Sequence, residues 1–192
     1  ELEKTAQITA RIKNAFNLSA TASESLADTL ASVAANSNTT LEGLGESFKL
    51  AAPIAAAYGQ SVEDVAVAFG VLGDAGIQNS RAGTGYSRLM SELTEKKGDT
   101  QELLAPFGES AEALDPMSNS IKDILGTFEK LIDTGKMTKG DIFDLLDQRS
   151  ARTLVSLINS GTEAYENLES QRSAGIATQI RDFRVNETIA GQ

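Results

Sequence analysis

The chain has 192 residues, of which 41% are hydrophobic, so it is long enough for one domain with a buried core. It contains no cysteine and no histidine, which excludes disulfide bonds, Cys/His zinc sites and histidine-based catalysis. Its net charge of −10 argues against a protein that binds nucleic acid through the phosphate backbone.

Apolar residues along the first half of the chain recur with the spacing of amphipathic helices. The predicted helices span residues 1–16, 20–35, 39–58, 61–72 and 79–95. Thr39 and Glu42 predict a capping box at the start of the third helix, and Pro53 predicts a kink or a break inside it. Every residue from Val65 to Leu72 is apolar or glycine, so the fourth helix should be buried on most of its sides.

The second half of the chain predicts further helices separated by frequent breakers. A short helix at 103–107 is followed by a loop at 108–118 and by a strongly amphipathic helix from Ile121. Thr138 begins another pair of segments, and Gly161 predicts a break after them. Because no stretch alternates with the period of a strand, the sequence predicts an all-α fold, a compact bundle of about eight to ten short helices with glycine-rich corners.

The same pattern predicts how the chain is organised. Residues 1–17 form an N-terminal helix leading in from the rest of the chain, 18–165 a globular core domain, and 166–192 a C-terminal helix leading out. The bundle thus carries helical extensions at both ends. The first residue is Glu1 and not methionine, so we expect a piece of a longer chain.

The segment from Gly73 to Gly85 is rich in glycine and invites comparison with a phosphate-binding loop. A Walker-type loop needs a lysine and a preceding strand, and this segment has neither. We interpret it as a corner between two buried helices, in which glycines permit left-handed backbone and close approach. Arg81, near a predicted helix N-terminus, is a candidate for weak anion binding.

Charged side chains offer two further hypotheses. Asp141, Asp144 and Asp147 lie three residues apart, which suggests a cation site or, as we favour, a solvated helix face, since the pattern lacks the glycine and glutamate of a calcium loop. The basic residues of the second half are interpreted as ion-pairing surface. These are Arg149, Arg152, Arg172, Arg181 and Arg184. We therefore predict no catalytic residue, no cofactor and no metal, and the chain is not expected to be an enzyme.

The sequence instead predicts a packing centre within residues 39–93, where the densest apolar run and the glycine-rich corner lie together. Its expected members are Phe48, Pro53, Val65, Phe69, Leu72, Gly73, Gly76, Ile77, Tyr86 and Leu89.

This stretch also resembles a known family. The helix containing Ala51-Ala-Pro53, followed by Ala75-Gly-Ile77 and Ala82-Gly-Thr84, is similar to the core region of phage tail tape-measure proteins. The resemblance covers about residues 20–95 and extends more loosely to about 165. It implies a structural protein of the virion, made in the cytoplasm of the bacterial host and held in the lumen or tip of the tail. Such a protein sets tail length during assembly and is released during genome delivery.

The resemblance also implies partners. These are other copies of the chain in a homo-oligomer, with a trimer as one form, together with tail tube, distal tail and hub proteins and tail assembly chaperones. It implies no sequence-specific binding of nucleic acid, and it leaves room for transient contact with the host membrane. Two alternatives stay open from the residues alone. One is a generic helical protein–protein interaction module, and the other is a membrane-active protein using Leu50–Leu72, which Glu63 and Asp64 interrupt.

Overall fold

The computed structural model describes residues 2–19, 22–108 and 110–190, and within these ranges it contains helices and no strand. Nine α-helices occur in them, which confirms the predicted all-α bundle. In chain order they are α1 (Leu2–Ala15), α2 (Ala22–Ala35), α3 (Leu41–Ala57), α4 (Val62–Asp74), α5 (Ser80–Glu95), α6 (Lys97–Leu104), α7 (Ile121–Asp133), α8 (Lys139–Leu145) and α9 (Gln148–Ala190). Two short 3₁₀ helices, Ala105–Phe107 and Ala111–Leu114, lie between α6 and α7.

Side-chain caps explain where several helices begin. Ser61 Oγ accepts a hydrogen bond from the Asp64 amide at 3.0 Å, as predicted for the start of α4. The cap of α3 is Thr40, which accepts from the Gly43 amide at 3.0 Å, so the capping box predicted at Thr39 is wrong by one residue. Thr39 is instead buried between Gly43 of α3 and Gly73 of α4.

The break predicted at Pro53 is also not observed, because α3 continues through this residue to Ala57. Proline removes the amide that would bond to the Lys49 carbonyl. Both Pro53 and Lys49 are exposed, so water can satisfy that carbonyl and the helix tolerates the loss. The predicted break is therefore wrong, and a kink at Pro53 stays a prediction.

The core is built around α4, whose residues from Val62 to Gly73 are nearly all buried, as the apolar run predicts. Helix α3 packs against α5 on one side of the bundle, and α9 packs against α2, α4, α5, α7 and α8. Helix α1 packs on α3 and α2, where Ile12 is buried. The N-terminal helix is thus part of the bundle, while the domain boundaries proposed at 17/18 and 165/166 stay predictions.

Helix α9 is interrupted at Gly161, where the sequence predicts a break and where the backbone has φ 80° and ψ 154°. The segment after the interruption is held by α7, since Glu129 accepts hydrogen bonds from the Thr162 amide at 2.7 Å and from the Thr162 hydroxyl at 2.6 Å. Tyr165 then donates its hydroxyl proton to the Asp64 carbonyl at 2.5 Å. A cap from one helix and a hydroxyl bond to another therefore fix the direction in which the chain continues toward Ala190.

Gln60, the buried residue just before α4, joins two distant parts of the chain. Its amide nitrogen donates to the carbonyls of Pro116 at 2.6 Å and Asn119 at 2.9 Å, and its oxygen accepts from the Ile121 amide at 3.1 Å. One side chain thus satisfies three backbone groups of the loop that leads into α7.

We expect Gln60→Met to lower the free energy of unfolding by about 2–3 kcal/mol, because buried backbone groups lose their partners. Urea unfolding followed by circular dichroism measures this loss. The matched control is Gln101→Met, since exposed Gln101 accepts one bond, from the Ala111 amide at 3.0 Å, and its replacement should cost about 0.5–1 kcal/mol. Equal losses in the two variants would contradict the role given to Gln60.

Candidate functional site

A row of four aromatic rings runs through the packing centre. The ring centroids of Phe16 and Phe48 are 6.1 Å apart, those of Phe48 and Phe69 are 5.0 Å apart, and those of Phe69 and Tyr86 are 5.6 Å apart. All three pairs meet edge to face, which is a favourable arrangement for aromatic rings. The row links α3, α4 and α5 and joins them to the turn that follows α1.

The ten residues proposed for the packing centre divide into two groups. The buried members are Phe48, Val65, Phe69, Leu72, Gly73, Tyr86 and Leu89. Pro53 and Gly76 are exposed and Ile77 is half-buried, so these three lie at its edge. Gly76 has φ 79°, a conformation that favours glycine, and it ends the turn after α4.

The glycines of α5 are contact points between helices. A Cβ placed on Gly83 would lie 2.2 Å from the Ser47 carbonyl oxygen of α3, and one on Gly85 would lie 2.3 Å from Thr153 Oγ1 of α9. The Gly73–Gly85 segment is therefore a corner followed by a close helix contact, in line with the interpretation made from the sequence. Ser47 adds a hydrogen bond across this seam, donating to the Asn79 carbonyl at 2.9 Å.

The hydroxyl of Tyr86 is buried and has no hydrogen-bond partner among the described residues. Burial, with a smaller contribution from the charge of Asp64, raises its pKa well above the ordinary range. Because an unpaired buried hydroxyl is unfavourable, we expect Tyr86→Phe to stabilise the fold by up to about 1 kcal/mol. Thermal unfolding measures the change.

The matched control is Tyr165→Phe, which removes the bond to the Asp64 carbonyl and should destabilise the fold by about 1 kcal/mol. A loss of stability in both variants would show that the Tyr86 hydroxyl has a partner.

The three aspartates considered as a cation site do not lie on one helix. Asp141 forms a capping box with Thr138 at the start of α8, and Asp147 accepts from the Arg149 and Ser150 amides at the start of α9. Asp144 is exposed on α8. In the part of the chain that the structure describes, no group of three carboxylates has the arrangement needed to hold a metal ion.

A polar network instead joins α5 to the turn between α8 and α9. Lys96 donates to the Leu145 carbonyl at 2.6 Å, Glu92 accepts from the Asp147 amide at 2.8 Å, and Arg88 pairs with the Asp147 carboxylate. Burial acts to raise the pKa of Asp147, but its hydrogen bonds with the Ser150 and Arg149 amides and with the side chains of Glu92 and Arg88 outweigh it and hold the pKa well below its usual range. Burial raises the pKa of the neighbouring Glu92.

The network predicts an acid-sensitive junction. Because the folded pKa of Asp147 is depressed, its contribution is present above the unfolded value of about 3.9 and is lost as the pH falls toward the folded value. Glu92, with a raised pKa, acts in the opposite sense and offsets part of this loss. We expect the wild type to lose more stability between pH 7 and pH 3 than Asp147→Asn does. Urea unfolding at both pH values tests this, and parallel pH profiles would contradict it.

Three arginines face one cleft of about 450 Å³ between the start of α5 and the start of α9. They are Arg81, Arg149 and Arg152. Their exposed guanidinium groups form no salt bridge with the described residues, although Arg152 donates to Gln148 at 3.4 Å. The ion pairs predicted for Arg149 and Arg152 are not seen among the described residues, where the carboxylate nearest in sequence, Asp147, is paired with Arg88. The side chains of Arg181 and Arg184 lie outside the described residues.

A second groove, of about 400 Å³, lies between α1 and α3. Ile8, Ile12 and Phe48 are among its apolar lining residues, and Arg11 and Lys49 lie at its charged edge. Within the described ranges, no helix is both long enough and apolar enough to cross a membrane.

Comparisons with known proteins give a consistent result. The sequence model of the family described as phage-related minor tail protein matches residues 1–180. The chain is 27% identical over 174 residues to the tape measure protein of Pneumococcus phage Dp-1, covering 88% of this chain and 15% of that protein. It is 29% identical over 133 residues to the probable tape measure protein of Escherichia phage P2, covering 67% of this chain and 16% of that protein. No solved structure matches the chain.

Proposed function

The chain belongs to the family of phage-related minor tail proteins, and on that basis we propose that it is the folded core segment of a tape-measure protein, which sets tail length during assembly and leaves the tail ahead of the genome. The observation that carries this proposal is the match along residues 1–180, which includes the packing centre and most of α9.

The shape of the fold limits what this segment contributes. A ruler converts residues into length, and an α-helix advances about 1.5 Å per residue. In this chain α1 to α8 fold back on one another around α4, so most of the residues add thickness and not length. The matched regions also cover only 15% and 16% of the two relatives. We therefore assign the length-measuring role to other parts of the full-length protein. We assign this segment to a fixed position in the tail lumen or tip.

A body held in a tail needs protein partners. We propose contacts with other copies of the chain, with tube, distal tail and hub proteins, and with assembly chaperones. The segment performs no catalysis in this proposal, which rests on a core without histidine or cysteine and on aspartates occupied in helix caps. Contact with the host membrane stays a prediction, tested by leakage of lipid vesicles with the purified chain.

Two changes in the full-length protein test the proposal. Removing about 20 residues from a helical stretch outside this segment should shorten the tail by about 30 Å, because each helical residue adds about 1.5 Å. Gly83→Ala, which disturbs the α3–α5 contact, should instead reduce the number of tails and leave the length of the finished ones unchanged. Electron microscopy of particles measures both. An unchanged tail length in the deletion variant would contradict the proposed role in setting tail length.

A further inference from the structure

We propose that the cleft formed by Arg81, Arg149 and Arg152 binds an acidic peptide segment, one that presents two or more carboxylates to the three guanidinium groups. This binding site belongs to the folded chain and does not depend on where the segment lies in a tail. The inference therefore goes beyond the proposed function. The occupant is a protruding stretch of a partner protein.

The charge of the cleft supports this ligand. Its lining contains three arginines and no acidic residue, although the chain as a whole carries 27 acidic and 17 basic side chains. Three like charges in one cleft repel one another, and an anion relieves that repulsion. Arginine is suited to this role because its planar group donates two parallel hydrogen bonds to a carboxylate.

The surroundings of the arginines favour an anion as well. Ser80 is the first residue of α5, a helix with no acidic residue in its first turn and no side-chain cap. The positive end of the α5 dipole therefore adds to the charge of the guanidinium groups, whereas the start of α9 is already capped by Asp147. Ser80 and Thr84 also line the cleft, and serine and threonine side chains can donate further hydrogen bonds.

The shape of the cleft separates a peptide from other acidic occupants. A volume of about 450 Å³ accepts a few side chains of a protruding segment, whereas a DNA duplex presents a broad convex surface. Nucleic acid is further disfavoured by the net charge of −10, which repels a long polyanion over the whole protein. An acidic segment brings only a few carboxylates to the cleft, whereas a second copy of the chain brings its whole net charge of −10.

The test is a titration of the purified chain into a fluorescein-labelled Gly-(Glu)₄-Gly peptide, followed by fluorescence anisotropy. We expect saturable binding that weakens as salt is added, and a roughly tenfold loss of affinity for each of R81Q, R149Q and R152Q, since each removes a charge-assisted contact. The triple variant R81Q/R149Q/R152Q should bind more weakly than any of the single variants. The triple variant R81K/R149K/R152K keeps the charge but cannot donate two parallel hydrogen bonds from one planar group, so its affinity should fall between those of the wild type and the triple glutamine variant.

The matched control is R11Q/K13Q/K49Q, which removes the same charge from α1 and α3. It should bind within about twofold of the wild type, because it leaves the cleft intact. Circular dichroism of every variant checks folding, and the exposed positions of the three arginines predict unchanged melting.

Several outcomes would overturn the proposal. One is equal loss of affinity in the cleft and control variants, which would indicate a diffuse charge effect. Another is equal binding of a Gly-(Gln)₄-Gly peptide. Tighter binding of a single- or double-stranded oligonucleotide, lost in the triple glutamine variant, would assign the cleft to nucleic acid. Self-association of the wild type in sedimentation runs, lost in the same variant, would assign it to a second copy.

Discussion

Gly83→Ala is expected to destabilise the fold by about 3 kcal/mol, although it adds a single methyl group. The added Cβ would lie 2.2 Å from the Ser47 carbonyl oxygen and 2.9 Å from the Ser47 Cα. Both atoms belong to the backbone of α3, so no side-chain rotation relieves the clash and the two helices must move apart. The hydrogen bond from Ser47 to the Asn79 carbonyl spans the same seam and would be strained as well. Urea unfolding followed by circular dichroism measures the loss.

Gly126→Ala is the matched control, because it makes the same change inside a helix with free space around it. No atom outside its immediate chain neighbourhood lies within 4 Å of a Cβ placed on Gly126, which sits in α7. Alanine loses less conformational freedom than glycine when a helix forms, so this variant should gain about 0.5–1 kcal/mol. If the same substitution lowers the free energy of unfolding at Gly83 and raises it at Gly126, steric contact and not helix propensity explains the loss at Gly83. A stabilised Gly83→Ala variant would show that α3 and α5 are farther apart.

Phe69→Ala is expected to cost about 3–5 kcal/mol, because it leaves a cavity in the middle of the aromatic row. Phe69 is 1% exposed and its ring lies between those of Phe48 and Tyr86. Its removal breaks two edge-to-face contacts in addition to exposing apolar surface. Since the fold as a whole is held by a net free energy of about 5–15 kcal/mol, this single change is expected to leave a large unfolded fraction on mild heating.

The control for this variant is Phe143→Ala on α8, whose side chain is 43% exposed. Its loss should change stability by less than about 1 kcal/mol, because surface substitutions rarely do more. Differential scanning calorimetry of the two variants compares them directly. If Phe143→Ala proved as damaging as Phe69→Ala, the exposed ring would have to be covered by another molecule in solution.

Local patterns predicted the helices and most of their ends. The apolar spacing placed α4 and α7, and the hydroxyl residues Ser61 and Thr138 marked helix starts that the structure confirms. These features depend on residues within one or two turns, so a single sequence contains the information. The same holds for Gly161, where a lone glycine between helical stretches marks the interruption of α9.

Contacts between distant residues could not be predicted in this way. Gln60 was not identified because nothing in its neighbourhood shows that it will meet the loop before α7. Asp147 was assigned to the wrong helix, since its spacing from Asp141 fits a helix that in fact ends at Leu145. The arginine cleft was missed for the same reason, because Arg81 and Arg149 approach each other only when α5 and α9 pack.

The bond between Tyr165 and Asp64 has a consequence for how the protein is made. The two residues are 101 positions apart, and synthesis proceeds at roughly 5–20 residues per second, so Tyr165 follows Asp64 from the ribosome after about 5–20 seconds. During that time α4, the most apolar helix of the core, has no α9 to cover it. We therefore expect the exposed apolar surface of α4 to favour aggregation during that interval.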